Sequence, residues 1–247
     1  MAIANLATIE QVFNSCYGLF SPAAILLPSG MRQDPQVTQK RVRKNHAERR
    51  DALVAATIRC LKRDGLDASS VRNISKEAGI SVGLINHHFD NKNALIAAAY
   101  RVIADELFES AWHSGQQMGD SPEVQLEGFF RGSFDVQQSD PGALRVWIAF
   151  WRLGEHSEEV RAVHTESYAH YRAHLEQLIA ALCRDHGIDR VDTRLAAIGL
   201  AALLDGLWLE LCLDPGNFSV DEGVHICNAW VRGLIRGGGL PGLVAGG

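Results

Sequence analysis

The stretch ISKEAGISVGLI, residues 74–85, decides the fold. Its spacing predicts a short helix that ends at the Ala78-Gly79 pair and a second helix that begins after Ser81. Alanine allows two helices to approach closely, and Gly79 can adopt the left-handed conformation that a sharp helix exit needs. The apolar residues that would pack between the helices are Ile74, Ile80, Leu84 and Ile85. This layout predicts a helix-turn-helix.

The second helix of such a motif can lie in the major groove of DNA. Gly83 would permit close approach to the duplex, and Asn86 could pair with an adenine edge. Lys92 follows the helix, where it could reach a phosphate. The residues predicted to contact DNA are Arg49, Ser70, Ser81, Val82, Gly83, Asn86, His87 and Lys92.

The charged residues divide the chain into a basic part, which contains the helix-turn-helix, and an acidic part. The net charge of -5 is the sum of +7 over residues 32–101, -11 over residues 102–247 and -1 from Glu10. All five lysines lie in the basic segment, and a basic arm precedes the first helix with Lys40, Arg41, Arg43, Lys44, Arg49 and Arg50. This division is typical of a polyanion-binding module joined to an acidic domain.

The rest of the sequence predicts an all-α protein. Helices are expected from Asn45 to Gly65, from Ser70 to Gly79, from Ser81 to His88, and then over 94–118, 122–137, 141–154, 157–185, 191–213 and 219–236. The predicted domains are a disordered extension (1–31), a basic DNA-binding domain (32–101), a helical ligand-binding and dimerisation domain (102–236) and a flexible tail (237–247). An alternative to a disordered extension is that the protein itself starts at Met31.

Several kinds of protein are disfavoured. The five cysteines are far apart and form no C-x-x-C pair, which indicates reduced thiols in a cytoplasmic protein rather than disulfides or zinc. The apolar run near residue 20 is too short to span a bilayer. Glu166, His170 and His174 have metal-ligand spacing, but a solvated helix face explains them better. No catalytic constellation is present, so we expect neither an enzyme nor a cofactor.

Residues 46–100 resemble the amino-terminal domain of the TetR family of bacterial transcriptional regulators. The resemblance depends on Gly65, Ile74, Ala78-Gly79-Ile80-Ser81, Gly83, His88-Phe89, Asn91-Lys92 and Leu95. It implies a repressor that binds a DNA operator and responds to a small ligand. The sequence departs from the family at Asn86, where tyrosine is common.

The carboxy-terminal part resembles the betaine-pathway (BetI-like) repressors, a choline-responsive group. The passages that carry this resemblance are residues 88–93, 133–135, 147–151 and 199–209. Choline is therefore implied as a ligand by the resemblance alone. The physical pattern is compatible with it, because Trp147 and Trp151 lie one helical turn apart and aromatic faces attract ammonium groups. Such aromatics are equally often plain core.

Asp205 is the polar exception in an otherwise apolar helix from Leu195 to Leu209. A carboxylate buried there needs a partner, which could be Arg194, a backbone group or a cationic ligand. The predicted ligand contacts are Phe134, Trp147, Phe150, Trp151, Asp205 and Trp208.

One short recognition helix reads few base pairs, so we expect a homodimer on a palindromic operator. The predicted interface lies on the last two helices, at Leu207, Leu211, Trp230 and Leu234. Two other interpretations remain open at this point. One is a helical enzyme or small-molecule carrier whose basic end is incidental, and the other is a nucleoid protein that binds DNA without sequence preference.

Overall fold

The computed structural model describes the backbone of residues 35–138 and 142–236 and the side chains of 46–135 and 142–236. The predicted extension (1–31), the tail (237–247) and the side chains of the arm residues Lys40, Arg41, Arg43 and Lys44 lie outside the described residues. Within these bounds the chain forms nine helices, which confirms the all-α prediction: α1 (Pro35–Ala68), α2 (Val71–Ala78), α3 (Val82–His88), α4 (Lys92–Met118), α5 (Pro122–Gln138), α6 (Ala143–Gly154), α7 (Glu158–Asp185), α8 (Thr193–Leu213) and α9 (Val220–Arg236).

The first helix differs from its prediction at its start. It begins at Pro35, ten residues before the predicted Asn45. The prediction relied on apolar residues at helical spacing, and the mostly polar residues 35–44 do not show that pattern. Its regular course breaks at the predicted Gly65, which has φ 72° and ψ -172°. The added residues 35–43 belong to a different unit of the chain from the rest of α1 and the other described helices.

A small hydrophobic core lies among α1, α2, α3 and the start of α4. Its buried members include Leu53, Ile74, Ile85, Phe89 and Leu95. On the surface, Glu77 of α2 accepts hydrogen bonds from Arg59 (2.8 Å) and Arg63 (2.9 Å) of α1. These arginines hold the pKa of Glu77 below its usual range. Exposed ion pairs stabilise a fold by little, so the apolar core is the main support of the helix-turn-helix.

A larger core fills the space among α4 to α9. The α4–α5 pair packs closely because glycines of α5 face α4. A Cβ at Gly128 would lie 2.7 Å from the Ser114 carbonyl oxygen, and one at Gly132 would lie 2.9 Å from Ala111 Cα. Real Cβ atoms do not approach backbone this closely, so larger residues would force the two helices apart.

The boundary that the sequence places near Arg101 falls inside α4, which runs without interruption from Lys92 to Met118. The two cores divide along this helix. Leu95 and Ala99 belong to the small core, whereas Ile96 and Tyr100 belong to the large one. A single rigid element therefore connects the DNA-reading helices to the rest of the protein.

Among the described helices, α8 alone is long and apolar enough to cross a membrane by length and composition. In this fold α8 packs against α7 and α9 and buries Leu200, Leu204, Trp208 and Leu211. These contacts account for part of its apolar composition.

Candidate DNA-reading surface and ligand cavity

The helix-turn-helix has the turn chemistry that its sequence predicts. Gly79 has φ 64° and ψ 27°, and its N–H donates to the Lys76 carbonyl (3.2 Å). Ser70 caps α2, since its hydroxyl oxygen accepts the Asn73 N–H at 3.2 Å. Ser70 therefore fixes where α2 begins, and Gly79 ends α2 and sets the direction in which the chain continues to α3.

One face of α3 is exposed. Ile85 anchors the helix in the small core, and the exposed side carries Ser81, Val82, Gly83, Asn86 and His87. Ser81 precedes the helix, but its side chain does not cap it. Val82 is 42% exposed, and a Cβ at Gly83 would meet nothing within 4 Å. The fold itself therefore requires neither the valine nor the glycine, and both are available to a partner.

Three histidines meet beside this surface. The ring centroids of His46 and His88 are 4.1 Å apart, and those of His46 and His87 are 5.6 Å apart. Burial lowers the pKa of His88, and the neighbouring His46 and His87 lower it further. The neutral form of the His88 ring is therefore favoured.

The flanking cations differ in their availability. Arg49 is exposed, whereas Arg50 stacks over the Phe89 ring at 5.0 Å and supports the small core. Lys92 is half-buried, and this burial lowers the pKa of its ammonium group.

Asn91 caps α4 by accepting the Ala94 N–H (2.8 Å) and donates to Glu159 of α7 (3.0 Å).

A cavity of about 80 Å³ lies inside the larger core, between α4, α5, α6, α7 and α8. This volume accommodates several water-sized groups. The cavity is lined by Phe134, Trp147, Trp151, Asp205 and Trp208, five of the six residues predicted to bind a ligand. Trp147 and Trp208 meet edge to face with centroids 6.2 Å apart, and half-exposed Trp151 lies 6.4 Å from each of them.

Phe150, the sixth predicted contact, is not a lining residue. It is fully buried behind the cavity and stacks on Tyr100, with centroids 4.2 Å apart and planes at 9°. The sequence pattern could not separate it from Trp147 and Trp151, because all three lie within five residues of one helix. We therefore omit Phe150 from the candidate ligand contacts.

Asp205 faces the cavity, and its protein partner differs from those the sequence suggested. The Tyr168 hydroxyl donates a hydrogen bond to its carboxylate, and Arg172 lies near enough to favour the charged form. Arg194 is exposed. Burial outweighs both favourable interactions and raises the pKa of Asp205 to about 6. The carboxylate is charged at neutral pH but incompletely compensated.

The sequence reasoning missed the contribution of α7 and α4 to this cavity. Ser167, Tyr168 and Tyr171 line it from α7, and Phe108 lines it from α4. Burial raises the pKa of Tyr168 and Tyr171, and the charge of Asp205 raises both further, so both hydroxyls stay protonated. The repeat of tyrosine at i and i+3 beside a serine was the available signal.

An aromatic contact chain joins the cavity to α4. Trp147 packs edge-on against Tyr100, with centroids 5.4 Å apart and planes at 90°. The Tyr100 hydroxyl shares a 2.7 Å hydrogen bond with His164 Nδ1 of α7. Burial lowers the pKa of His164, which favours a neutral ring.

The predicted dimer contacts need a correction. Leu211 and Leu234 are each 4% exposed and point into the core, so they are not available to a partner. Leu207 and Trp230 are half-buried, and Trp230 packs across Gly199, where a Cβ would lie 3.1 Å from the indole. The large apolar residues that α8 and α9 do expose are Ile198, Leu213 and Ile226.

Comparisons with known proteins define the class. Residues 53–99 match the sequence family described as "Bacterial regulatory proteins, tetR family", and residues 122–236 match "BetI-type transcriptional repressor, C-terminal". The HTH-type transcriptional regulator BetI of Stenotrophomonas maltophilia (strain R551-3) is 35% identical over 196 residues, which are 78% of this chain and 95% of that protein.

Solved structures show the same architecture. A transcriptional regulator from Pseudomonas aeruginosa PAO1 is 43% identical, with a TM-score of 0.72 over 77% of this chain and 92% of its own. A regulator from Saccharomonospora viridis in complex with choline is 18% identical, with a TM-score of 0.63 over 81% of this chain and 100% of its own. The second likeness shows the fold alone.

These findings define a helix-turn-helix transcriptional regulator and not an enzyme. The chain belongs to the TetR family and carries a BetI-type repressor C-terminal domain.

Proposed function

We propose that this regulator acts in the cytoplasm as a homodimeric repressor, and that a small organic cation bound in the cavity releases it from a palindromic operator. The observation that carries the ligand proposal is the position of Asp205. It is the one acidic side chain among the described lining residues, and it lies among aromatic rings.

The chemistry of the cavity favours a cation over other ligands. Indole and phenol faces attract ammonium groups, and the attraction increases when water is excluded. Asp205 supplies a negative charge that the protein does not fully compensate, and the described lining residues include no lysine or arginine. The choline complex of the Saccharomonospora viridis regulator, which shares this fold, makes choline the first compound to test.

Calorimetric titration of the purified protein tests this proposal. We expect heat of binding with choline, betaine aldehyde or a polyamine, and a loss of at least tenfold in affinity in Asp205→Asn. The matched control is Asp189→Asn, because Asp189 is exposed between α7 and α8. Absence of binding by every cation, in a preparation that binds DNA, would refute the ligand proposal.

For DNA, we propose that α3 reads base edges through Ser81, Val82, Gly83, Asn86 and His87. Arg49, Ser70 and Lys92 would contact the backbone beside it. The exposure of the others around one anchored helix supports this assignment, whereas Ser70 and Lys92 are half-buried and have only part of their side chains available.

Two copies are needed to read a palindrome, and the apolar side chains that α8 and α9 expose are the proposed dimer contacts. They are Ile198, Leu213 and Ile226, together with half-buried Leu207 and Trp230.

Gel shifts and footprinting with the DNA upstream of the gene test the DNA proposal. We expect a protected palindrome and an affinity that falls steeply as salt increases. A protein that binds this DNA and unrelated DNA equally well would behave as a nucleoid protein, and this outcome would refute the operator proposal. Sedimentation of the free protein as a monomer at micromolar concentration would refute the dimer.

A further inference from the structure

The histidine cluster at the edge of the DNA-reading surface joins two helices. His46 belongs to α1, and His87 and His88 end α3. The ring centroid of His46 lies 5.6 Å from that of His87 and 4.1 Å from that of His88, and the last two are 5.5 Å apart. His46 and His87 are exposed, whereas His88 is half-buried. The fold therefore places a second exposed imidazole, that of His46, beside the helix proposed to read DNA.

The half-buried ring of His88 favours its neutral form. Its Nδ1 atom is buried and has no hydrogen-bond partner within the part of the chain that the structure describes. A protonated imidazole carries a hydrogen on both nitrogens, so protonation of His88 would bury an unpaired donor, which is costly. Burial also lowers the pKa of His88. A proton added to the cluster therefore belongs on one of the exposed rings.

The charged neighbours of the cluster favour an external anion. The groups that further lower the pKa of His88 are all bases, namely His46, Arg49 and Arg50 of α1 and His87 of α3. The nearest carboxylates in the sequence are Glu48, which leaves α1 on another side from His46, and Asp90, which follows α3. A positive charge on an exposed ring of this cluster would therefore strengthen a surface that already attracts polyanions.

DNA can supply the anion at this position. Exposed Arg49 is the proposed contact to the DNA backbone, and it follows His46 by three residues, so the two side chains leave the same face of α1. The stretch of backbone that Arg49 contacts is then within reach of the His46 ring. A protonated imidazole donates a charge-assisted hydrogen bond to a phosphate, which a neutral ring does not. Because rings this close repel each other when both are charged, one proton per cluster is expected.

We propose that His46 is a proton-dependent phosphate contact, which takes up a proton when the DNA backbone binds, so that a fall in pH strengthens DNA binding. This inference rests on the proposed DNA-reading function. Histidine is the side chain whose ordinary charge change lies between pH 5 and 8, so the effect falls near neutrality. Proton uptake on binding and tighter binding at lower pH are two expressions of one linkage.

Fluorescence anisotropy of the full chain with labelled duplexes measures this linkage. The probes are the DNA upstream of the gene and an unrelated duplex of the same length, each at pH 7.5 and pH 6.0, at constant ionic strength and with EDTA in every buffer. Uptake of one proton by each protomer would change the affinity of a dimer up to about a hundredfold per pH unit, and partial uptake reduces this. We expect about tenfold tighter binding at pH 6.0, with a similar ratio for both duplexes because phosphate contacts do not depend on sequence.

Variants of His46 identify the ring responsible. His46→Gln keeps a hydrogen-bonding side chain that takes up no proton, so the gain in affinity at pH 6.0 should fall to about twofold or less. His46→Arg carries a permanent charge, so it should bind more tightly than the wild type at pH 7.5 and show an equally small gain. The matched control is His186→Gln, because His186 is exposed after α7 and should leave the tenfold gain in place. Thermal unfolding at both pH values establishes that each variant is folded.

Calorimetry counts the protons directly. Binding of the upstream duplex is titrated near pH 6.5 in two buffers of different ionisation enthalpy, and the difference in heat gives the number of protons taken up. We expect about half a proton per protomer for the wild type and for His186→Gln, and almost none for His46→Gln.

Each outcome has a separate meaning. Equal affinity of the wild type at the two pH values, or a gain that survives in His46→Gln, overturns the proton-dependent contact and leaves the DNA-reading function intact. Weaker binding of His46→Arg than of the wild type at pH 7.5 also overturns it, since a fixed charge should replace the proton. Failure of the wild type to bind either duplex at either pH overturns the DNA-reading function and this contact together.

Discussion

Replacing Asp205 with asparagine is expected to stabilise the fold while it removes cation binding. Burial raises the pKa of Asp205 from 3.8 to about 6. A carboxyl group that binds its proton more tightly in the folded state destabilises that state once it ionises. The penalty is absent well below pH 3.8, grows between pH 3.8 and 6, and is constant above that range. At 1.36 kcal/mol per pKa unit, it reaches about 3 kcal/mol.

Asparagine keeps the shape and an oxygen that accepts the Tyr168 hydrogen bond, but it carries no charge. We therefore expect the free energy of unfolding of Asp205→Asn to exceed that of the wild type by about 3 kcal/mol at pH 7.5, and by about half as much at pH 5. For a chain of this length, the corresponding increase in Tm at pH 7.5 is roughly 6–12 °C.

Urea unfolding followed by circular dichroism, at fixed protein concentration and at both pH values, measures this difference. Asp189→Asn serves as the control, because its side chain is exposed and should change stability little. A variant that is less stable than the wild type at pH 7.5, or a difference that does not vary with pH, would refute the reasoning. Asp205 would then be a structural anchor whose partners compensate its charge.

Three further results are expected. In calorimetry, the affinity for a quaternary ammonium should fall roughly tenfold between pH 7 and pH 5. Asp205 must be ionised to attract the cation, and the pKa of Asp205 lies near 6. An affinity that does not change with pH would exclude that carboxylate as the partner. Gly83→Ala should weaken operator binding in gel shifts without loss of Tm, since a Cβ there meets nothing within the protein. The control is Gly154→Ala, where a Cβ also meets nothing; it should change neither operator binding nor Tm. Asn91→Ala should lower the free energy of unfolding by about 1 kcal/mol, as expected for loss of a helix cap, and an unchanged urea midpoint would contradict this.

The DNA-reading part of the fold could be predicted closely because its signals are local. Ser70 and Gly79 each determine the backbone around themselves, and the structure shows both in the expected roles. Whether Ser81 and Asn86 touch DNA stays a prediction, because no nucleic acid contact follows from the turn itself.

The cavity could be predicted only in part, because hydrophobic periodicity shows which face of a helix is buried but not what it meets there. Tyr171 lies one helical turn before buried Leu175 on α7, so periodicity alone places it in the core, but it lines the cavity. Phe150 shows the reverse, since it lies in plain core beside two lining tryptophans. The same ambiguity explains Leu211: α8 is apolar on several faces, so its sequence does not reveal which one a partner could cover.

Besides α4 itself, which lines the cavity with Phe108, two connections could carry the effect of a bound ligand to the DNA-reading helices, and their expected strengths differ. The exposed hydrogen bond between Asn91 and Glu159 spans α4 and α7, but such a surface contact contributes little and is easily replaced by water. The buried connection runs from the cavity wall at Trp147 to Tyr100, which is held between Phe150 and His164. Close-packed side chains cannot absorb a displacement of one member without moving the others. We therefore expect a ligand that shifts Trp147 to shift Tyr100 as well and, with it, α4, the helix that follows α3.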